Sequence, residues 1–289
     1  MADILAASAP SDWRPLDPEN TLYVEFATPA GQGAGPHDGR VVIEMAPAFA
    51  PNHVANVRAL VRERYFDGLP VVRSQDNYVV QWGDPEEDAA KQRPMKAGKR
   101  SLAAEFDRAI GADLPFVQLA DGDIYAPEVG HAQGLPVARD PAHGRAWLAH
   151  CYAMVGAGRG DTADSGSGAE IYVVIGHAPR HLDRNVTLFG RVVKGMELLS
   201  TLPRGTGALG FYEQASERTP IRSIRLAADV PAAERTNLEV LRTDTPLWTE
   251  LVAARRMRPE GWFLTKAGRI DLCNVPIPVR PVAPTAPVN

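Results

Sequence analysis

The sequence has no apolar run approaching the roughly 18 or more residues of a membrane-spanning helix, so no membrane partner is expected. It has no excess of basic charge. Its 31 Lys and Arg stand against 35 Asp and Glu for a net charge of −4, and the two signs are interspersed. A phosphate-binding surface, and with it a nucleic-acid partner, is not expected. Cysteine is scarce. Cys151 and Cys273 are compatible with one disulfide in an oxidising compartment; two buried thiols is the plainer reading and the one adopted. The opening, Met1 to Trp13, lacks a basic n-region and a long apolar h-region, so no intact signal peptide is read there. That start fits either an exported, periplasmic protein after signal removal or a cytoplasmic terminus. Metal-ligand spacing is missing too. His177 and His181 are four apart, but Pro179 between them breaks a helical ligand pair. The Asp161–Gly168 segment lacks the alternating acids of a calcium loop. No metal or other cofactor is expected, and no internal repeat is visible.

What the chain does have is 45% hydrophobic residues and 25 prolines, a mixture that suits a loop-rich β protein. Residues 1–20 read as a tethered or disordered lead-in. Leu22–Phe26 and Val41–Met45 are β-rich runs, and the Gly/Pro stretch between them reads as a hairpin loop. Val54, Val57, Leu60 and Val61 build one apolar helix face behind Pro51 and Asn52. Short apolar runs at 70–72 and 78–80 flank the turn-rich Ser74-Gln75-Asp76-Asn77. Residues 86–145 are long and polar with few β signals, and read as an elaborated surface insertion. Strand character returns at 147–149, 152–155, 171–175 and 188–193, followed by a short helix from Met196 to Leu202 and a strand through Ile224 and Leu226. In the C-terminal addition, residues 231–289, Pro231 to Leu241 reads as helix. Pro246 to Met257 reads as helix with Thr245 as its N-cap. Trp262–Leu264 and Ile270–Cys273 read as a hairpin, and the proline-rich tail as extended chain. A domain of 21–230 with an appended 231–289 packed on it follows, because about 60 residues make a marginal core alone, and Trp248, Trp262 and Phe263 of the addition are expected to be buried. The order of elements implies a mainly β, closed antiparallel barrel with end helices, carrying a long loop insertion and a small α+β extension.

Specific motifs sharpen this. Gly39-Arg40-Val41-Val42-Ile43-Glu44, Ala50-Pro51-Asn52-His53, Tyr65-Phe66-Asp67-Gly68, Val71-Val72-Arg73 with Gln81-Trp82-Gly83-Asp84, and Phe189-Gly190-Arg191-Val192 occur in the order found in cyclophilins. Over about Thr21 to Asp229 the chain resembles a cyclophilin-type peptidyl-prolyl cis-trans isomerase. The resemblance implies an eight-stranded barrel capped by two helices, a monomer acting on proline-containing polypeptides. It implies Arg73 as the principal catalytic side chain, with Gln81 orienting it. Tyr78, Val79, Tyr172 and Leu182 would wall the proline pocket, where the family usually has phenylalanine for both tyrosines and methionine for Val79. Val155 and Gly156 would pair with the peptide backbone, where the family has alanine-asparagine. Glu170 replaces a family glutamine and would ion-pair with Arg73. His181 is a common family variant, and Val186 falls where a pocket histidine often stands.

Two rivals come from other classes. One is a proline-peptide-binding chaperone or scaffold with negligible catalysis, favoured by Glu170, Val79 and Val186 and opposed by Arg73 and Gln81. The other is a serine protease, suggested by Leu148-Ala149-His150-Cys151 and Asp164-Ser165-Gly166. The short separation of His150 from Ser165 opposes it, since a triad is built across intervening barrel strands.

Overall fold

The structure, a computed structural model, describes residues 1–27, 39–88 and 90–282. The Gly/Pro hairpin loop after Phe26 falls mostly outside these, as does the end of the proline-rich tail. By backbone proximity the chain divides into two units. One comprises residues 18–108 and 147–232, the other 1–17, 109–146 and 233–289.

The first unit is an antiparallel barrel of eight strands: β1 (Thr21–Phe26), β2 (Arg40–Met45), β3 (Val71–Ser74), β4 (Val79–Trp82), β5 (Met154–Ala157), β6 (Ile171–Val174), β7 (Leu188–Lys194) and β8 (Ile221–Leu226). Their order is β8-β1-β2-β7-β5-β6-β4-β3. Closure comes from the chain beside β3: Ile221 N–H donates to Leu69 O and Val71 N–H to Thr219 O, each at 2.8 Å. Alternate residues fill the interior, among them Leu22, Ile43, Val80, Trp82, Val155, Ile171, Val173 and Phe189. This is the period-two pattern of strands with one face on a core. Two helices, α1 (Pro51–Arg62) and α2 (Met196–Ser200), pack Val54, Val57, Leu60, Val61 and Leu199 against that core. Pro51 occupies the first turn of α1, where its missing N–H costs nothing. The Glu105 carboxylate accepts from the backbone N–H groups of Asn52 (3.0 Å) and His53 (2.9 Å), satisfying donors the helix cannot pair itself.

The second unit corrects several expectations. The lead-in is ordered into a helix (Ala2–Ala6) and a strand (Trp13–Pro15). The surface insertion holds a hairpin, Glu128–Ala132 against Leu135–Asp140, turning through Gln133 and Gly134 at φ of 52° and 74°. Positive φ at both turn residues matches the twist of the strands. Leu238–Leu241, inside the expected helix 231–241, is a strand between Trp13–Pro15 and Val279–Pro281. Its partners lie at the two ends of the chain, outside any local window. Pro246–Met257 is helical, and the Thr245 hydroxyl accepts from Trp248 N–H as its cap. The 262–273 hairpin does not form: Leu272–Asn274 is a 3-10 turn, and Trp262, expected to be buried, is 82% exposed. Trp248 is the buried one, edge-on to His131 at 4.8 Å.

Among the described residues no helix is long and apolar enough to cross a membrane. Neither cysteine is a free thiol; Cys151 and Cys273 are both disulfide-bonded, which overturns the two-thiol reading. The chemical consequence is direct. Unfolded without reductant the protein should take up no thiol reagent, and after reduction two equivalents; labelling before reduction would contradict the bonded state.

Candidate functional site

Along β4, Val80 and Trp82 point into the barrel, so Gln81 faces the outer surface. By the same alternation Tyr172 on β6 points outward between Ile171 and Val173, and the ladder sets Tyr172 opposite Gln81. Arg73 on β3 is register partner to Gln81. Three side chains from three strands thus meet on one outer face, as strand pairing requires.

Arg73 is half-buried and heavily engaged. Its Nε–H donates to Leu209 O at 2.7 Å, Nη1 to Gln81 Oε1 at 3.3 Å, and Nη2 to Gln75 Oε1. Its guanidinium carbon lies 5.3 Å from the Tyr78 ring centroid and 5.2 Å from that of Phe211. Two aromatic faces therefore flank a cation, an attractive arrangement. Burial draws the guanidinium below its ordinary range, while Tyr78 and Glu170 oppose the shift. Three of its five N–H groups are used, which leaves one on each terminal nitrogen.

Gln81 passes the connection on, its Nε2 donating to Glu170 Oε1. Glu170 makes no ion pair with Arg73, contrary to the sequence expectation, and reaches it through the Gln81 amide. The Glu170 carboxyl is pushed above its usual range, chiefly by burial, with the Gln81 hydrogen bond and the Arg73 charge pulling it back. Gly158 makes room for this pair. A Cβ there would stand 3.1 Å from Gln81 Nε2 and 3.2 Å from Glu170 Cγ.

A raised carboxyl pKa means the folded protein holds the Glu170 proton more tightly than the unfolded chain does. Stability is therefore full below the unfolded carboxylate range and declines as pH rises through the folded-state pKa. Glu170→Gln removes that decline and keeps an acceptor for Gln81. Its Tm at neutral pH should rise by about 2 °C, and its stability should be flatter between acidic and neutral pH than the wild type's. Thermal unfolding across pH checks this; an unchanged Tm and pH profile would refute it.

The expected pocket residues separate into two groups. Tyr78 stacks parallel to His181, centroids 6.5 Å apart, while Val79 and Tyr172 are buried and Leu182 half-buried. The Val155 side chain belongs to the barrel core. Gly156 stands opposite both Tyr172 on β6 and Leu188 on β7, so β5 presents no free edge to a peptide there. Val186 lines a different hollow, with Phe49, Phe106 and Trp147. Neither backbone pairing at Val155–Gly156 nor a pocket contact from Val186 is part of this cluster.

Sequence reasoning missed Gln75, the Leu209 carbonyl and Phe211, because the loop that delivers the last two lies about 135 residues beyond Arg73. It also missed what holds Tyr172. The tyrosine hydroxyl donates to His150 Nε2 at 2.8 Å, and His150 Nδ1–H donates to Asp183 Oδ1 at 2.9 Å. Asp183 further accepts from Arg180 Nε at 2.6 Å and from His150 N–H at 2.9 Å. Burial draws the His150 imidazole below its usual range and pushes the Tyr172 phenol well above 10.0. Both groups are neutral at physiological pH, as that donor order requires. Burial raises the Asp183 carboxyl, but His150 and Arg180 bring it below the ordinary range. His150 is thus no protease base: Ser165 is occupied elsewhere, accepting from Gly160 N–H and donating to Thr162 O.

Three comparisons with known proteins bear on this face. A model of the family described as cyclophilin type peptidyl-prolyl cis-trans isomerase/CLD matches residues 31–226. A Brucella suis protein named as a peptidyl-prolyl cis-trans isomerase is 24% identical over 216 residues, covering 72% of this chain and 82% of the relative. A Synechocystis protein named as a thylakoid lumen peptidyl-prolyl cis-trans isomerase is 27% identical over 176 residues, covering 58% of this chain and 42% of that one. Among solved structures, the cyclophilin AquaCyp293 from Hirschia baltica superposes with a TM-score of 0.73 at 23% identity, covering 96% of each chain. That likeness speaks for the fold.

Proposed function

The chain belongs to the cyclophilin type peptidyl-prolyl cis-trans isomerase family, and from that premise we propose that Arg73 is its principal catalytic side chain, with Gln81 as the residue that orients it. The substrate is an X-Pro bond in a polypeptide. Rotation about that bond faces a barrier of about 18–20 kcal/mol because the nitrogen lone pair is delocalised into the carbonyl. A donor that meets the nitrogen as it pyramidalises localises the lone pair and strengthens as the bond twists, so it lowers the barrier rather than merely binding the ground state. A thousandfold acceleration asks for only about 4 kcal/mol. Arg73, with one N–H spare on each terminal nitrogen, is equipped to supply much of it. Tyr78, Val79, Tyr172, His181 and Leu182 are proposed as the apolar surround of the proline ring.

The observation that carries this reading is the fixed guanidinium, clamped by Gln75, Gln81 and the Leu209 carbonyl between two aromatic rings. A side chain so immobilised has lost its rotamer freedom on folding, which a merely solvated arginine does not. The rival of a catalytically idle binding module is disfavoured by the same clamp. Exchange NMR on an X-Pro peptide, with wild type and Arg73→Ala side by side, is the test. Equal rates for the two would remove Arg73 from the chemistry.

We also propose that the protein acts as a monomer in an exported, oxidising compartment. Support for the compartment comes from its disulfide-bonded cysteines and from the relative named for the thylakoid lumen.

A further inference from the structure

We infer that His150 is a positioning residue of the prolyl site: through one buried hydrogen-bonded chain it fixes the two walls of that site relative to each other. This rests on the reading of Arg73 and its surround given above. The chain runs Tyr172–His150–Asp183–Arg180, with links of 2.8, 2.9 and 2.6 Å. At one end it holds Tyr172, the outward side chain of β6 that faces Gln81. At the other it holds the turn Arg180–Leu182, which carries His181 and Leu182. His150 is fully buried, and both of its ring nitrogens are committed, one to each wall. Its own main chain is bound as well, the backbone N–H reaching the same Asp183 oxygen at 2.9 Å.

The direction of the hydroxyl matters. Tyr172 turns its polar atom away from Arg73 and into the protein, where His150 accepts its proton, so the ring offers a proline an apolar face without an unmatched hydroxyl. Asp183 sets the imidazole tautomer by accepting a hydrogen bond from Nδ1–H, which leaves Nε2 as the acceptor that Tyr172 requires. The His150 and Tyr172 rings lie nearly parallel, 7° apart with centroids at 6.2 Å. Gly156 completes the arrangement. A Cβ there would lie 2.3 Å from Tyr172 Cζ, so this ring position is open only over glycine.

The test is a double-mutant cycle in KM and kcat with His150→Leu, Tyr172→Phe and the pair, each assayed well below its own Tm. His150→Leu should raise KM about tenfold, the worth of one buried hydrogen bond, with kcat within about twofold because Arg73 is untouched. In the Tyr172→Phe background the same replacement should change KM little, since no hydroxyl remains to be held. Additive effects on KM, or a lowered Tm with unchanged KM, would overturn the inference. If His150→Leu fails to fold, Tyr172→Phe alone decides: it should raise KM and shift the His150 Nε2 resonance in 15N NMR, and an unmoved KM refutes the claim. Arg73→Ala run alongside separates the two levels. A fully active Arg73→Ala protein overturns the underlying reading of the site. An inactive Arg73→Ala protein, together with a KM that in the Arg73-bearing proteins is indifferent to His150 and Tyr172, overturns this inference alone.

Discussion

Arg73→Ala is expected to lower kcat/KM for an X-Pro peptide about a hundredfold, equivalent to about 3 kcal/mol of transition-state stabilisation, while Tm moves little. The loss should fall on kcat. The guanidinium meets the prolyl nitrogen only as it pyramidalises, so the ground-state complex keeps most of its contacts. The structure explains why stability is spared. Arg73 is half-buried, and of its partners Gln75 is half-buried and Leu209 exposed, so both are rehydrated when it is removed, while the buried Gln81 keeps its hydrogen bond to Glu170. Arg73→Lys tests whether charge or shape matters. An ammonium keeps the charge but cannot bridge Leu209 O, Gln75 and Gln81 together, nor lie flat between Tyr78 and Phe211. It should recover no more than about a tenth of the wild-type activity. A lysine variant at full activity would show that a point charge suffices and that the clamp is incidental.

The barrel could be read from the sequence because its strands obey a local rule. β1, β2, β4 and β6 are short runs of β-branched, aromatic and aliphatic residues, a local signal that needs no knowledge of partners. The second unit obeys no such rule. The strand at Leu238–Leu241 is stabilised by Trp13–Pro15 and Val279–Pro281, more than 200 residues apart in sequence. The hairpin at 128–140 hides its pattern behind Gly130 and Pro136. Tryptophan content likewise misled, since burying Trp262 follows from average behaviour and this chain leaves it in solvent.

The site divides the same way. Arg73, Gln81 and Tyr172 lie on neighbouring strands and were legible through motif order. Phe211 and the Leu209 carbonyl arrive from a loop whose course no strand pattern dictates. His150 drew attention as half of a protease-like motif, yet its partner is Asp183, 33 residues on. A single sequence cannot rank candidate partners for a histidine; burial and distance do.

Gly156→Ala should be among the most damaging single-methyl additions in the barrel. The new Cβ would fall 2.3 Å from both Cζ and the hydroxyl oxygen of Tyr172 and 2.6 Å from Cε1, well inside van der Waals contact. Either the ring swings off or β5 moves, and β5 is paired on both sides. The ring yields at a cost, because His150 holds its far end. Overpacking of this kind costs about 1–3 kcal/mol, and breaking the buried hydrogen bond adds about 1 kcal/mol. A Tm drop of roughly 8 °C follows, with KM raised about tenfold as the pocket wall is displaced. Tyr172→Phe should not rescue it, since the offending ring carbons remain. Tyr172→Leu should, because the side chain then ends short of Gly156. The resulting coupling between positions 156 and 172 should be on the order of 1–3 kcal/mol in thermal unfolding. Were Gly156→Ala as stable and active as the wild type, the Tyr172 ring would be free to move, and a wall fixed from behind by His150 could not be what shapes this site.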